Sequence, residues 1–408
     1  MLTIEKFRDA RAVLAPILWR TSLIDSSFFS KNTGARVYLK PENMQVTGSY
    51  KIRGSYYKIS TLTDEQKARG LITSSAGNHA QGVAYASQIA GLHATIVMPT
   101  TTPLMKVNNT KSYGAEVLLC GNLFDEAYKT ALQMGKEKDI VFIEPFNDVD
   151  VAAGQGTIAY EIIRDLPDVD VILVPIGGGG LAAGISTLAK ILNPRIRVIG
   201  VEPKGAAGMH ASMMAKKIVS LDKVETIADG VAVQTPGDVV FPYVLENIDD
   251  IILIDDNELI DSFLDVMENH KMIVENAGLL SVAALKHLDL KGKNVVSILS
   301  GGNMDVITMS SLVSHGLVSR GRIFTFSVLL PDRPGELSRI AGIVAGQRGN
   351  VIKLEHNQFI SVNRNSAVEL QVTLEAFGHE HAAEIIAALK VEGYDPKIIN
   401  HRGTTVAV

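Results

Sequence analysis

Sulfur-bridging chemistry is almost missing from this chain: it has one cysteine, Cys120, in 408 residues. A single thiol excludes an intrachain disulfide and a multi-thiolate metal cage, and it suits a reducing compartment. Missing too is any uninterrupted apolar run of the roughly 18–20 residues that a membrane-spanning helix needs. Charge of one sign is nowhere concentrated, since 39 basic residues against 44 acidic give a net charge of −5. That balance offers nothing to nucleic acid or an anionic membrane surface, so neither is expected as a partner. The opening stretch, MLTIEKFRDARAVL, carries acids and a helical period where a signal segment would have a basic head and an apolar core. A cytoplasmic location is the expectation. Internal repeats and low-complexity tracts are also lacking.

What is present is an ordinary globular composition, 46% hydrophobic and 20% charged, in a chain long enough for two or three domains. Short β-branched runs (ARVYLK, HATIVMP, AEVLLC, VDVILVPI, RVIGVEP, NVVSILSGG) read as strands. Longer helix-like pieces lie between them: GNHAQGVAYASQIAG, LFDEAYKTALQMGKEK and GGLAAGISTLAKIL. Strand, glycine, helix, strand is the pattern of βαβ units around a buried, mostly parallel sheet, an α/β fold. Ligands in such folds bind at the carboxyl ends of strands. Near residue 320 the pattern changes. SHGLVSRGR, residues 314–322, reads as a linker, and the segments from IFTFSVLLP to DPKII then read βαββαβ, a small α+β unit with an antiparallel sheet.

Three strand ends carry glycine. VPIGGGGL places Gly177, Gly178, Gly179 and Gly180 between an apolar strand and a helix, where consecutive backbone N–H groups and the helix dipole suit a phosphate. The run lacks the lysine of a nucleotide P-loop and the spacing of a dinucleotide fingerprint. A plain tight turn would need only one or two glycines. SSAGNHAQG brings Ser74, Ser75, Ala76, Gly77 and Asn78 to a second strand end. Its hydroxyls and amides suit a carboxylate, and the Asn78 amide suits a phenolic or carbonyl oxygen, while a helix cap explains the same residues equally well. His79 reads as a packing group, with no carboxylate beside it in sequence. ILSGGN ends the third strand with Ser300. In TGSYKIRGS, Lys51 stands among small residues directly after Tyr50. One phosphate receptor, one carboxylate receptor and one reactive amine are an inventory that pyridoxal phosphate satisfies.

TGSYKIRGS, SSAGNHAQG, GGGGL and LSGGN, in that order, closely resemble the fold-type-II pyridoxal-phosphate enzymes, and among them the threonine dehydratase (threonine ammonia-lyase) family. The likeness covers nearly all of residues 1–315, and LPDRPGEL followed by NVIKLEHNQF resembles an ACT regulatory domain. The resemblance implies two α/β subdomains with mostly parallel sheets in a catalytic region over 1–319, the smaller subdomain at about 43–147, and an ACT domain over 324–408. It implies pyridoxal 5'-phosphate as cofactor, with Lys51 as its Schiff-base lysine and Tyr50 against the ring, where relatives often have phenylalanine. Asn78 would meet the ring hydroxyl, Gly177 to Gly180 the phosphate, and Ser300 the pyridine nitrogen. The amides around Ser74, Ser75 and Gly77 would receive a substrate carboxylate, with Gly230 and Glu275 lining the pocket. Pro334, Gly335, Glu336, Leu337 and Asn350 match an effector site for an amino acid or a nucleotide. A homo-oligomer, tetramer or dimer, goes with these features, and no metal is expected.

A neutral hydroxyl at Ser300 does not hold the ring nitrogen protonated, which favours β-elimination over a long-lived carbanion. The expected activity is deamination of L-threonine to 2-oxobutanoate, with L-serine as a further substrate. One rival is a serine racemase of the same fold. Racemases carry a serine where this chain has Ala76, and Gly208 replaces a carboxylate expected beside Glu202 in a racemase-type metal site. The other is a non-catalytic amino-acid sensor, which would have no need of Lys51.

Overall fold

A computed structural model of the chain describes residues 1–357, 368–399 and 405–406. Two compact units divide it, Met1–Val306 and Ile307–Val408.

In the first unit, runs of β-branched residues without polar alternation become central strands, because strands covered on both faces can be apolar throughout. Ten strands form: β1 (Ile24–Asp25), β2 (Arg36–Lys40), β3 (Leu71–Ser74), β4 (Ala94–Met98), β5 (Glu116–Leu119), β6 (Val141–Phe142), β7 (Val171–Pro175), β8 (Arg197–Pro203), β9 (Asp250–Ile254) and β10 (Asn294–Ile298). One sheet has the order β1-β2-β10-β7-β8-β9, and a smaller one the order β5-β4-β3-β6. Every pair is parallel except β1 with β2. In the larger sheet Val295 of β10 lies opposite both Val37 of β2 and Val171 of β7. Every position of β7 and β10 is buried. The three glycine-bearing stretches follow β3, β7 and β10, at the carboxyl ends where such sheets bind ligands.

Helices Val149–Asp165 and Gly180–Leu192 pack backbone to backbone. A Cβ on Gly184 would come within 2.0 Å of Ala152 O, so that crossing requires glycine. Sequence reading placed a strand end at Ser74 without delimiting β3, and did not mark β1, β6, β9 or the helix Val149–Asp165. LITS runs straight into a serine turn, β6 is two residues long, and the helix is capped by Asp148, whose carboxylate accepts from Asp150 N and Val151 N.

The second unit holds β11 (Ile323–Leu330), β12 (Asn350–Asn357), β13 (Val368–Glu375), β14 (Lys397–Ile399) and β15 (Thr405–Val406), in the antiparallel order β12-β13-β11-β14-β15. Phe324, Phe326, Val328 and Leu330 of β11 alternate inward beside Val368, Leu370, Val372 and Leu374 of β13. Helices Glu336–Gly346 and His379–Val391 cover that face with Ile340, Val344, Ile385, Ile386 and Leu389. β11 to β14 thus give the expected βαββαβ order. The tail of the expected strand 350–360 and the head of 366–376 lie outside the described residues. Residues 314–322 differ from the expected linker, since the helix Val306–Ser319 runs through most of them. Leu312 and Gly316, one turn apart, give that helix a buried face. One glycine costs a helix only about 1 kcal/mol.

Candidate active site

Lys51 opens the helix Lys51–Ser60, and Tyr50 before it donates its N–H to Ser300 O at 3.1 Å. Ser49 bridges Gly301, and Gly302 donates to Gly48 O at 2.9 Å. Those bonds strap the lysine to the end of β10. Its half-buried side chain donates from Nζ to Pro145 O at 2.7 Å and lies 5.4 Å from the centre of the Tyr50 ring. Loss of water around the ammonium pushes its pKa down to about 8, against a smaller upward pull from Glu275. Burial and the same carboxylate raise the Tyr50 phenol, which stays protonated.

β7 delivers the chain to the four glycines. Gly179 is left-handed, with φ 103°, and a Cβ on Gly178 would lie 2.2 Å from the Phe146 ring, so the turn admits no side chain. Among the described residues no acceptor bonds the N–H groups of Gly177, Gly178, Gly179 or Gly180, and the last three residues are buried. Buried amides need partners, and at a helix N-terminus an anion serves best. Phe146 follows Pro145, so one segment touches both the lysine amine and the glycine turn.

The opposite wall starts at Val231, whose Cα lies 2.9 Å from where a Gly177 Cβ would be. Gly230 beside it faces Glu275, with Oε1 3.5 Å from its would-be Cβ. Glu275 Oε1 accepts from Asn78 Nδ2 at 2.6 Å, and Asn303 Nδ2 donates to Asn78 Oδ1 and to Thr47 O, both at 2.8 Å. Burial raises the Glu275 carboxyl to about 7, with the Asn78 bond and the Lys106 and Lys51 charges opposing and Asp229 assisting. Glu275 N–H donates to Gly301 O at 3.0 Å, and Ser300 Oγ, on a buried residue, has no partner among the described residues. Lys51, the glycine turn, Gly230, Glu275, Asn78 and Ser300 therefore close one ring of contacts. Residues 14–301 match the family described as "Pyridoxal-phosphate dependent enzyme".

The chain belongs to the pyridoxal-phosphate dependent enzymes. It is 43% identical over 400 residues to the L-threonine ammonia-lyase of Thermotoga maritima, spanning 98% of this chain and 100% of that one. Among solved structures it is similar to the processed form of threonine deaminase isoform 2 from Solanum lycopersicum, with a TM-score of 0.74 at 38% identity over 76% of this chain and 87% of that one. Maize serine racemase gives a TM-score of 0.73 at 35% identity, over 78% and 98% of the two chains. The residues present fit pyridoxal phosphate. Unbonded amides at a helix N-terminus suit its phosphate, an amine of lowered pKa suits its aldehyde, and an unpaired hydroxyl and an amide remain for its ring.

Ser74 Oγ is buried without a partner, as a carboxylate receptor would be. The expectation that the Ser75 and Gly77 amides stand open needs correction. Ser75 N–H donates to Val97 O at 3.3 Å, and Gly77 N–H to Ser75 Oγ at 3.2 Å, a local serine turn. Ala76 and Asn78 N–H have no acceptor among the described residues. His79 donates from Nε2 to Ile143 O at 3.1 Å. Burial, then the Lys51 charge, pushes its pKa down to about 3, so it is neutral packing beside the lysine.

Glu202 accepts from Met209 N at 2.9 Å and His210 N at 2.7 Å, and burial raises it to about 7. Among the described residues no three His, Cys, Asp or Glu gather as for a metal. No helix among them is long and apolar enough to cross a membrane. The effector candidates belong to the second unit. Gly335, with φ 97°, caps the helix after the exposed Pro334. Glu336 accepts from Tyr394 OH at 3.1 Å, Leu337 is exposed, and Asn350 donates to Glu375 Oε2 at 3.2 Å. Sequence reading missed Pro145 and Phe146, which act through a carbonyl and a ring face and belong to no motif, and it gave no role to Val231 or to Asn303, the last residue of ILSGGN.

Proposed function

We propose that the protein deaminates L-threonine, giving 2-oxobutanoate and ammonia, and L-serine, giving pyruvate. The observation that carries the reading is the ring itself: an amine with pKa about 8 held at one strand end, opposite unbonded glycine amides at another. Pyridoxal phosphate, when bound, supplies a conjugated electron sink for charge released at the substrate α-carbon. Gly177 to Gly180 would hold its phosphate, Asn78 its ring oxygen, Tyr50 its face and Ser300 its ring nitrogen, while Gly230 and Glu275 line the pocket. Ser74 Oγ and the Ala76 and Asn78 amides receive the substrate carboxylate.

Lys51 Nζ removes the α-proton. Its lowered pKa leaves a useful share of free amine near neutral pH, which suits a general base. The Pro145 carbonyl orients that amine by accepting one of its hydrogens. Ser300 would meet the ring nitrogen with a neutral hydroxyl in place of a carboxylate, an arrangement that would favour β-elimination over a long-lived carbanion. Ala76 offers no hydroxyl on the other face to return a proton, which separates this reading from racemization. Purified protein given L-threonine, L-serine and D-serine, with 2-oxo acid measured and serine chirality resolved, tests it. Oxo acid should dominate from both L-substrates. D-serine accumulating faster than pyruvate would make the protein a racemase, and no turnover with Lys51 dispensable would make it a sensor.

The reading extends to a cytoplasmic homo-oligomer with residues 1–319 as a catalytic region and 324–408 as an ACT regulatory domain. Its effector, an amino acid such as isoleucine or valine or a nucleotide such as AMP or ADP, would sit at Pro334–Leu337 and Asn350. Activity measured with each compound, before and after deletion of 321–408, tests this. A full-length protein that responds to none of them leaves the unit a structural role.

A further inference from the structure

Two residues beyond Lys51, the fully buried Arg53 side chain sits at the centre of an ion cluster. Its Nε and Nη2 donate to Glu42 Oε2 and Oε1, both at 2.8 Å. Nη1 and Nη2 donate to Glu161 Oε1 and Oε2 at 2.6 and 3.0 Å, so the guanidinium grips two carboxylates, each at two points. Nη1 also donates to Thr157 Oγ1 at 3.2 Å. Lys40, equally buried, pairs with Glu161, lies 3.7 Å from Glu42 and donates to Thr21 O at 2.5 Å. Thr21 Oγ1 donates to Glu42 Oε1 at 2.7 Å. Burial raises the Glu161 carboxyl, but Arg53 and Lys40 more than reverse this and hold it at about 2. Two cations and two anions are thus locked together, three of them fully buried and Glu161 keeping 20% of its side-chain surface exposed.

Stability alone does not call for such a cluster, because apolar residues of equal volume often serve as well. Its geometry offers a different reason. Lys40 ends β2, the neighbour of β10, and Glu42 lies two residues on, after Pro41. Thr157 and Glu161 lie on the helix Val149–Asp165, and Arg53 on the helix that Lys51 begins. At about 100° per residue, side chains two apart on a helix point to nearly opposite sides. The Lys51–Ser60 helix therefore shows Lys51 to the active site and Arg53 to the cluster. A planar fork held at four points leaves that helix little freedom to roll.

We propose that Arg53 is a positioning residue: the quartet of Lys40, Glu42, Arg53 and Glu161 fixes the rotation of the Lys51 helix and thereby the place of Lys51 Nζ. This rests on the reading of Lys51 as the proton-moving amine. Glu161→Gln, which keeps shape but removes one charge, and Arg53→Lys, which keeps charge but removes the fork, test it in the full-length protein. Three quantities are read: kcat and KM for threonine with cofactor bound, the pH dependence of kcat, and hydrogen exchange of amides 51–54 in the cofactor-free protein.

Since a displacement near 1 Å can cost about 10²-fold in rate, kcat should fall roughly 10- to 100-fold while KM changes far less. The pH profile should move, and exchange at 51–54 should accelerate more than in the helix Asn78–Ala90. Variants that melt earlier but keep the parent's kcat, pH profile and exchange would reduce the quartet to a stability element and overturn the proposal. Should either variant fail to fold, Thr157→Val, which deletes one bond to Arg53, decides by the same three readouts. A Lys51→Ala protein that still turns over would refute the underlying reading instead, and exchange at 51–54 would still report whether Arg53 holds the helix.

Discussion

Lys51 owes its character to two neighbours of different kinds. Its surroundings strip water from the ammonium, and the Pro145 carbonyl accepts its hydrogen at 2.7 Å. In cofactor-free protein its labelling by an amine reagent should titrate near 8, well below the ordinary 10.5. Replacement by alanine should lower kcat by about 10²–10⁴-fold, the usual worth of a positioned general base. Glu275 carries the complementary shift. Its folded pKa is raised from 4.5 to about 7, so the folded chain holds more protons than the unfolded one across that window. Stability from this group therefore falls as pH rises from 4.5 to 7. Glu275→Gln, which can keep the bond from Asn78, should remove that fall and gain roughly 1–3 kcal/mol over the parent by pH 8 in urea unfolding. A constant difference across pH would contradict the assignment. At this scale the sequence disclosed Lys51, Asn78, Ser300 and the glycines because each stands in a compact motif. It concealed Pro145, whose contribution is a carbonyl, and the Asn303–Asn78–Glu275 chain, whose members are 225 and 197 residues apart.

Among the elements, strands such as VILVP and NVVSI were legible because they are buried on both faces and so apolar without interruption. Helices with long periodic patterns were legible too. β9 and the helix Val149–Asp165 escaped notice because apolar and acidic residues mix at their borders, and β6 because two residues carry no period. The helix Val306–Ser319 was mistaken in part for a linker, since SHG looks like punctuation until Leu312 and Gly316 are seen to share a buried side. The tightest helix crossing offers a direct check. Gly184→Ala puts a methyl 2.0 Å from Ala152 O, so the two helices must move apart. The expected loss is about 1–3 kcal/mol of stability, read as a lower urea midpoint at unchanged slope.

At the scale of the whole molecule, the α/β architecture followed from the alternation of strands and helices, and the βαββαβ order of β11 to β14 from the change in pattern near residue 320, although the second unit begins at Ile307. The buried quartet around Arg53 was invisible, because Lys40, Glu42, Arg53 and Glu161 look like ordinary surface charges until the fold removes water from them. Leaving one buried charge unpaired should cost about 3–5 kcal/mol, so Arg53→Met should unfold at markedly lower denaturant than Arg53→Lys. The central claim concerns one covalent partner. Borohydride reduction of the cofactor-loaded protein fixes the cofactor's aldehyde carbon to whichever amine holds it, and peptide mass mapping then names that amine. The tag should fall on Lys51 alone, with loss of the visible absorbance. A tag on any other lysine, or none with the absorbance intact, would contradict it.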